Sequence, residues 1–340
     1  MLQLKNETPF KVGFSVLPDR AGIDMVYVVV KATLTLTPRL ALAPMQVPVT
    51  LADEYHDDPL ISSIRLPSEM HIGKPGTDIL LIGSAHAPEG SEVSQSMVSL
   101  SVAERARHAL VSGDRFFAND GGISAPVPFS SMPLVWERAY GGTHQLPDRM
   151  LAEERNPIGI GFCGKRSKGE MAGQPVPNIE DPAQPLGSAG DVSSPMAFAP
   201  TSPAWLPRRA FAGTYDAAWQ RGRSPYLPDD FDPRYLQLAA GEFAFDRYLA
   251  GGEPVRVEGA RAEGPLEFLL PANPLTLGVR IAGVMHRPPL QLQTVLIAPD
   301  ANLLCLSWHA AQPCDRKVLA VERIEVAMAP RVAAREEVAA

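Results

Sequence analysis

No stretch of this sequence stays apolar long enough to cross a membrane as a helix. The longest uninterrupted runs, residues 25–30 and 79–82, fall far short of the roughly 18 residues such a span requires, so no membrane anchor is expected. The first ten residues place Lys5, Asn6 and Glu7 among their apolar positions. They therefore lack the apolar centre of a signal peptide, which makes the cytoplasm the expected location. Excess positive charge is missing as well. With 31 Lys and Arg against 38 Asp and Glu, the net charge of -7 leaves no electrostatic footprint for nucleic acid as a direct partner. Cysteine is scarce: Cys163, Cys305 and Cys314 are odd in number and match neither a zinc knuckle nor a redox pair, so reduced thiols are expected.

The usual signatures of catalysis are absent too. The His residues never fall two to one helical face at the spacing zinc enzymes use, and neither a metal nor a cofactor is expected. No serine sits in a Gly-x-Ser-x-Gly turn, and no cysteine carries a nucleophile signature,. One motif does tempt. Gly159-Ile160-Gly161-Phe162-Cys163-Gly164 spells the dinucleotide glycine pattern and runs into Lys165. That chemistry needs a strand before the glycines and a helix N-terminus after them, because aligned N–H groups must face phosphate. Upstream lies Glu153-Glu154-Arg155-Asn156-Pro157, while Gly169 and Gly173 interrupt the downstream segment, so a turn-rich loop is the better reading. The acidic cluster of Asp53, Glu54, His56, Asp57 and Asp58 reads as a solvated turn, since it lacks the glycine of a calcium loop.

What the chain does have is apolar residues and proline. It is 45% hydrophobic and 20% charged, which is enough to bury a core and argues against wholesale disorder. Proline makes up 34 of the 340 residues, about twice the usual share. A residue that cannot donate to a ladder and is costly inside helices predicts short strands, long ordered loops and few short helices. Alternation and β-branched residues predict strands at 25–30, 33–37, 78–82, 97–102 and 134–136, and again at 255–257, 266–270, 277–281, 290–297 and 303–308,. Short helices are expected at 233–239 and 318–328. Between the two groups, 141–230 holds 11 Gly and 12 Pro, a composition near that of low-complexity segments. Its second half is rich in aromatic residues and is expected to pack, whereas 165–195 has none and is the better candidate for mobility. The expectation is a mainly β protein of two closely associated, sandwich-like lobes, 1–140 and 231–330. An irregular region, 141–230, packs on them, and 331–340 forms a flexible tail.

Ten short strings, in order, carry a resemblance. They are Val29-Val30-Lys31-Ala32-Thr33, Lys74-Pro75-Gly76-Thr77-Asp78, Gly113-Asp114-Arg115, Met132-Pro133-Leu134 and Glu137-Arg138-Ala139-Tyr140-Gly141-Gly142. They continue through Asn156-Pro157-Ile158-Gly159, Pro177-Asn178-Ile179-Glu180-Asp181-Pro182, Gly213-Thr214-Tyr215-Asp216, Leu227-Pro228-Asp229-Asp230-Phe231-Asp232 and Gly251-Gly252-Glu253. Together they resemble a bacterial domain-of-unknown-function family associated with type VI secretion, whose members serve as effector adaptors and chaperones. The resemblance covers most of the chain, and it departs at Ser307-Trp308-His309, where Trp-Arg is expected. It implies a protein that binds a cognate effector in the cytoplasm and helps load it onto the spike, through a PAAR-type tip or a VgrG-type protein, without being fired itself.

Within the strings, Lys74 with Asp78, Asp114 with Arg115 and Glu137 with Arg138 read as ion pairs that pin loops. Asn156, Asn178, Glu180 and Asp216 are taken as structural members of the same motifs. A chaperone must shield apolar segments of its partner, which points to an exposed apolar groove, with Trp205, Tyr215 and Trp219 as its candidate contact residues. Two other classes stand beside the adaptor. One is a β-scaffold hydrolase, possibly carbohydrate-active, with Glu137, Glu180 or Asp216 converging in a cleft; the other is a structural component of the secretion machine.

Overall fold

The computed structural model describes residues 2–36 and 39–330; the end of the strand predicted at 33–37 and the tail at 331–340 lie outside the described residues. In chain order, the strands of the three larger sheets are β1 (Gln3–Glu7), β2 (Lys11–Pro18), β3 (Asp24–Thr35), β4 (Asp78–Leu81), β5 (Gln95–Val102), β6 (Arg105–Ser112) and β7 (Ile179–Glu180). They continue with β8 (Pro254–Glu258), β9 (Leu266–Leu269), β10 (Leu275–Ile281), β11 (Val284–His286), β12 (Gln291–Ala298), β13 (Leu303–Pro313) and β14 (Val321–Met328). Five two-stranded ladders, two helices, α1 (Lys168–Met171) and α2 (Ala217–Gly222), and several 3-10 turns complete the regular structure of the described residues. The protein is mainly β, as its proline content and alternating segments predict.

The first five-stranded sheet runs β2-β3-β13-β12-β4, the second β7-β6-β5-β8-β9, and a four-stranded sheet runs β1-β14-β10-β11. The division into an N-terminal and a C-terminal lobe is therefore not how the sheets form. The run Val26 to Val30 in β3 is buried on both faces, and such a strand needs a neighbour along each edge. It takes β2 on one side and, on the other, β13, with Thr35 opposite Leu303 and Met25 opposite Pro313. In the second sheet β5 likewise pairs with β8. Val28, Val98, Phe198, Trp205, Val279 and Val326 all belong to one buried apolar cluster, so both ends of the chain and the connecting region share a core.

Two predicted elements differ. Residues 134–136 are not a strand: Ser131–Pro133 pairs with Ser84–His86, and the chain then turns into the 3-10 helix Trp136–Arg138. The predicted helix at 318–328 is a 3-10 turn, Val318–Ala320, followed by strand β14. Val321 and Ile324 sit three apart, which mimics helical spacing. An irregularity in the β10–β14 register, where Ile281 faces Val321 and Arg280 faces Arg323, lets both side chains be buried from a strand. The aromatic-free segment 165–195 is built into the fold. It contributes β7 to a sheet, buries Met171, Val176, Ile179 and Leu186, and starts α1 with a capping box between Ser167 and Glu170,.

Candidate functional site

The main surface feature grows out of one buried asparagine. Asn156 donates from Nδ2 to the carbonyls of Trp136 (2.8 Å) and Tyr140 (3.0 Å), and its own carbonyl accepts from Gly142 N (2.9 Å). This knot ties Glu137-Arg138-Ala139-Tyr140-Gly141-Gly142 to Asn156-Pro157-Ile158-Gly159 and lets Tyr140–Gly141 pair in parallel with Ile160–Gly161. Glycine is required here by close approach: a Cβ on Gly141 would lie 2.1 Å from the Asn156 carbonyl oxygen, and Gly142 holds φ +115,. The glycine pattern that imitates a phosphate loop is thus the floor of this structure. Gly161 does lie on a two-residue strand, but the helix that follows is a single turn whose N-terminus Ser167 and Glu170 already cap.

That floor belongs to a cleft of about 820 Å³. One wall is the loop at 57–62, which presents Leu60 and Ile61 at 85% and 66% exposure; another is the hairpin of Thr143–Gln145 and Met150–Ala152, which presents Met150 at 61%. The loop is held firmly. Asp58 accepts from Leu60 N (2.9 Å) through its carboxylate and from Ile61 N (3.0 Å) through its carbonyl. Just beyond, Ser63 donates its N–H (2.7 Å) and its hydroxyl (2.8 Å) to the Glu137 carboxylate. Two arginines also line the cleft. Arg209 pairs with Glu154 (3.2 Å), whereas Arg166 donates to the Phe162 (3.0 Å) and Thr143 (2.8 Å) carbonyls.

The charge pairs read from adjacent positions mostly choose other partners. Lys74 does meet Asp78, at 2.7 Å and wholly buried, with Thr294 Oγ1 (2.8 Å) as a further acceptor. Burial pulls the Lys74 pKa below its ordinary value, and the Asp78 charge opposes that shift,. Arg115 pairs with Glu180, not Asp114, and Glu180 also accepts from Leu186 N (2.8 Å). Arg138 reaches Asn178 Oδ1 (2.9 Å) and Asp114 (3.3 Å), not Glu137. Asn178 in turn donates to Ser112 O (3.1 Å) and Asp114 (3.0 Å). A further buried pair, Lys31 with Glu69 at 2.8 Å, joins residues too far apart in sequence for local spacing to signal it.

The three carboxylates considered for hydrolysis do not converge. Glu137 holds Ser63, Glu180 is fully buried against Arg115, and Asp216 caps α2 by accepting from Ala218 N (2.9 Å) and Trp219 N (2.8 Å). Of the three, only Glu137 lines the smaller cleft formed with Asp114, Arg115, Arg138 and Asn178. Among the described residues, no group of three or more His, Cys, Asp or Glu side chains is placed to hold a metal ion, and no helix is long and apolar enough to cross a membrane.

The aromatic candidates separate. Trp205 is only 5% exposed and meets Trp136 edge to face at 5.7 Å, so it is a core side chain behind the cleft wall and not a free contact residue. Its indole gains more by packing in the core than by waiting in water. Tyr215 is 54% exposed and stands edge-on to Trp219 at 4.7 Å, while Trp219 donates from Nε1 to Tyr226 O (2.8 Å). Neither of these two lines the cleft. His309, at the departure from the family strings, stacks on His71 at 4.4 Å; burial, with Lys74 adding repulsion, holds the His309 pKa at about 3 and His71 well below its ordinary value.

The sequence profile of a family described as "Uncharacterized protein conserved in bacteria (DUF2169)" matches residues 21–309. No curated protein and no solved structure matches the chain. The matched span holds all ten strings, the Asn156 knot, the Glu137 anchor and both apolar walls of the cleft. The chain therefore belongs to this bacterial DUF2169 family.

Proposed function

We propose that the protein is a type VI secretion adaptor. It holds a cognate effector in the cytoplasm and helps pass it to a spike of the PAAR or VgrG type, and it performs no chemistry itself. The observation that carries this reading is the large cleft. Its floor is made from two of the strings on which the adaptor resemblance rests, and its walls present Leu60, Ile61 and Met150 to solvent. A water-facing apolar rim on an ordered loop is what a surface that receives a protein segment needs, and full burial of each such side chain is worth about 1.5–3 kcal/mol. The separate engagement of Glu137, Glu180 and Asp216 in structural contacts favours a binding role over a hydrolytic one,.

The test is affinity purification of the tagged protein from its native host, with mass spectrometry of what is recovered in stoichiometric amount. The expected result is one effector or spike protein, lost on Ile61→Asp while the variant keeps its melting temperature. A clean monomer from cells that express the secretion genes would overturn the assignment.

A further inference from the structure

We propose that the cleft receives an extended, mainly apolar segment of the partner that carries an acidic side chain, and that Arg166 receives its carboxylate. This rests on the adaptor reading and specifies what the adaptor grips.

The walls set the apolar part. Leu60 and Ile61 stand on a loop fixed at one end by the Asp58 turn and at the other by Ser63 on Glu137. They are held in place before the partner arrives, which reduces the ordering cost of binding. The floor sets the manner of recognition. Gly142 N, Ile160 N and Phe162 N are already given to the carbonyls of Asn156, Ala139 and Gly141. These N–H groups can neither extend a ladder onto the guest nor cradle a chain-terminal carboxylate, so the cleft reads side chains.

Charge sets the acidic residue. Glu154 and Arg209 offset each other across 3.2 Å. Arg166 lines the same cleft, half-buried, with its guanidinium held by two main-chain carbonyls. Carbonyls orient a guanidinium without cancelling its charge, and two bonds leave donors of its fork free for a carboxylate. The protein as a whole carries -7, so attraction for an acid has to be local. Glu170 lies near Arg166 and offsets part of its charge, but its carboxylate is bonded to Ser167, which leaves the free guanidinium donors of Arg166 to supply that attraction.

The probe is a phage-displayed random peptide library selected in parallel on wild type, Arg166→Glu, Arg166→Gln and Ile61→Asp, each first shown to melt as the wild type does. Glutamine removes the charge but is shorter than arginine and gives up at least one of the two carbonyls, so exchanging the peptide's own acid for its amide isolates the charge. Wild type is expected to enrich apolar peptides bearing Asp or Glu, Arg166→Glu to enrich Lys or Arg at the same place, and Ile61→Asp to enrich nothing. The best wild-type peptide, synthesised, should lose at least about tenfold in affinity on Arg166→Gln or on replacing its acid by the amide. Three results would overturn the proposal: no enrichment on wild type, the same sequences on wild type and Arg166→Glu, or a wild-type dimer in light scattering that Arg166→Glu dissociates. An effector that co-purifies equally with both proteins would sink this inference and leave the adaptor reading intact. Acid-bearing peptides without any recovered effector would do the reverse.

Discussion

The sheet β2-β3-β13-β12-β4 and the connecting region at 141–230 are held together by opposite means. The sheet relies on continuous ladders and apolar side chains such as Val28, Val295 and Leu306. The connecting region has only short ladders of two or three residues. Besides turn bonds between its own main-chain groups, it uses buried polar side chains to grip main-chain groups within it and beside it: Asn156 on Trp136 and Tyr140, Asn178 on Ser112, Glu180 on Leu186, and Arg208 on Tyr235 (3.0 Å). A chain so rich in proline and glycine cannot pair all its backbone groups with one another, so side chains take over that duty. The sheet should therefore be sensitive to volume and the connecting region to chemistry.

The largest expected effect tests the second half of that contrast. Glu180→Ala leaves Arg115 buried beside an orphaned Leu186 N–H, and the cost should be about 3–5 kcal/mol in urea unfolding. A loss below about 1 kcal/mol would show that Arg115 finds another partner. Next comes Asn156→Ala, which strands two carbonyls and should cost about 2–3 kcal/mol. The same substitution should also weaken peptide binding, because the knot shapes the cleft floor.

The third prediction probes the seam where the loop bearing His71 meets β13. Both imidazoles are neutral in the folded protein because their pKa values lie below the ordinary 6.5, with His309 at about 3. The unfolded chain thus binds more protons below pH 6.5. The stability this pair contributes is present above that pH and declines as pH falls from 6.5 towards 3, by up to about 1.4 kcal/mol per pH unit for each histidine. His309→Phe should flatten that part of the profile relative to wild type; identical slopes would mean that the pair is hydrated and titrates normally. The smallest effect belongs to the sheet. Leu306→Met keeps volume at a fully buried position and should cost less than about 1.5 kcal/mol. A larger loss would erase the contrast between the two regions.

Some of this was legible from residues alone. The β-branched run in β3 and the alternation in β5 and β13 announced strands, because a two-residue period is a local property. Lys74 and Asp78 were legible as a pair because they are four apart in one tight loop. The pairings of Glu137 with Ser63, Arg115 with Glu180 and Lys31 with Glu69 were not. Neighbouring residues point in different directions, to opposite faces in an extended segment such as that of Asp114 and Arg115 and about a third of a turn apart in the 3-10 helix of Glu137 and Arg138, so nearness in sequence does not make a pair. Trp205 looked like a contact residue for a similar reason: an aromatic in a loop reads the same whether its ring faces water or Trp136.

By itself, then, the sequence determined a mainly β protein with ordered loops and membership of a bacterial family, since composition, period and motif order are properties of the chain. Only the tertiary structure decided that strands from both ends share each large sheet, that the glycine motif is a cleft floor, and that Leu60, Ile61, Met150 and Arg166 meet around it. The physical reason is that closing a long loop costs little more than closing a somewhat shorter one. Local sequence therefore cannot choose between distant partners, and packing of the whole chain makes that choice.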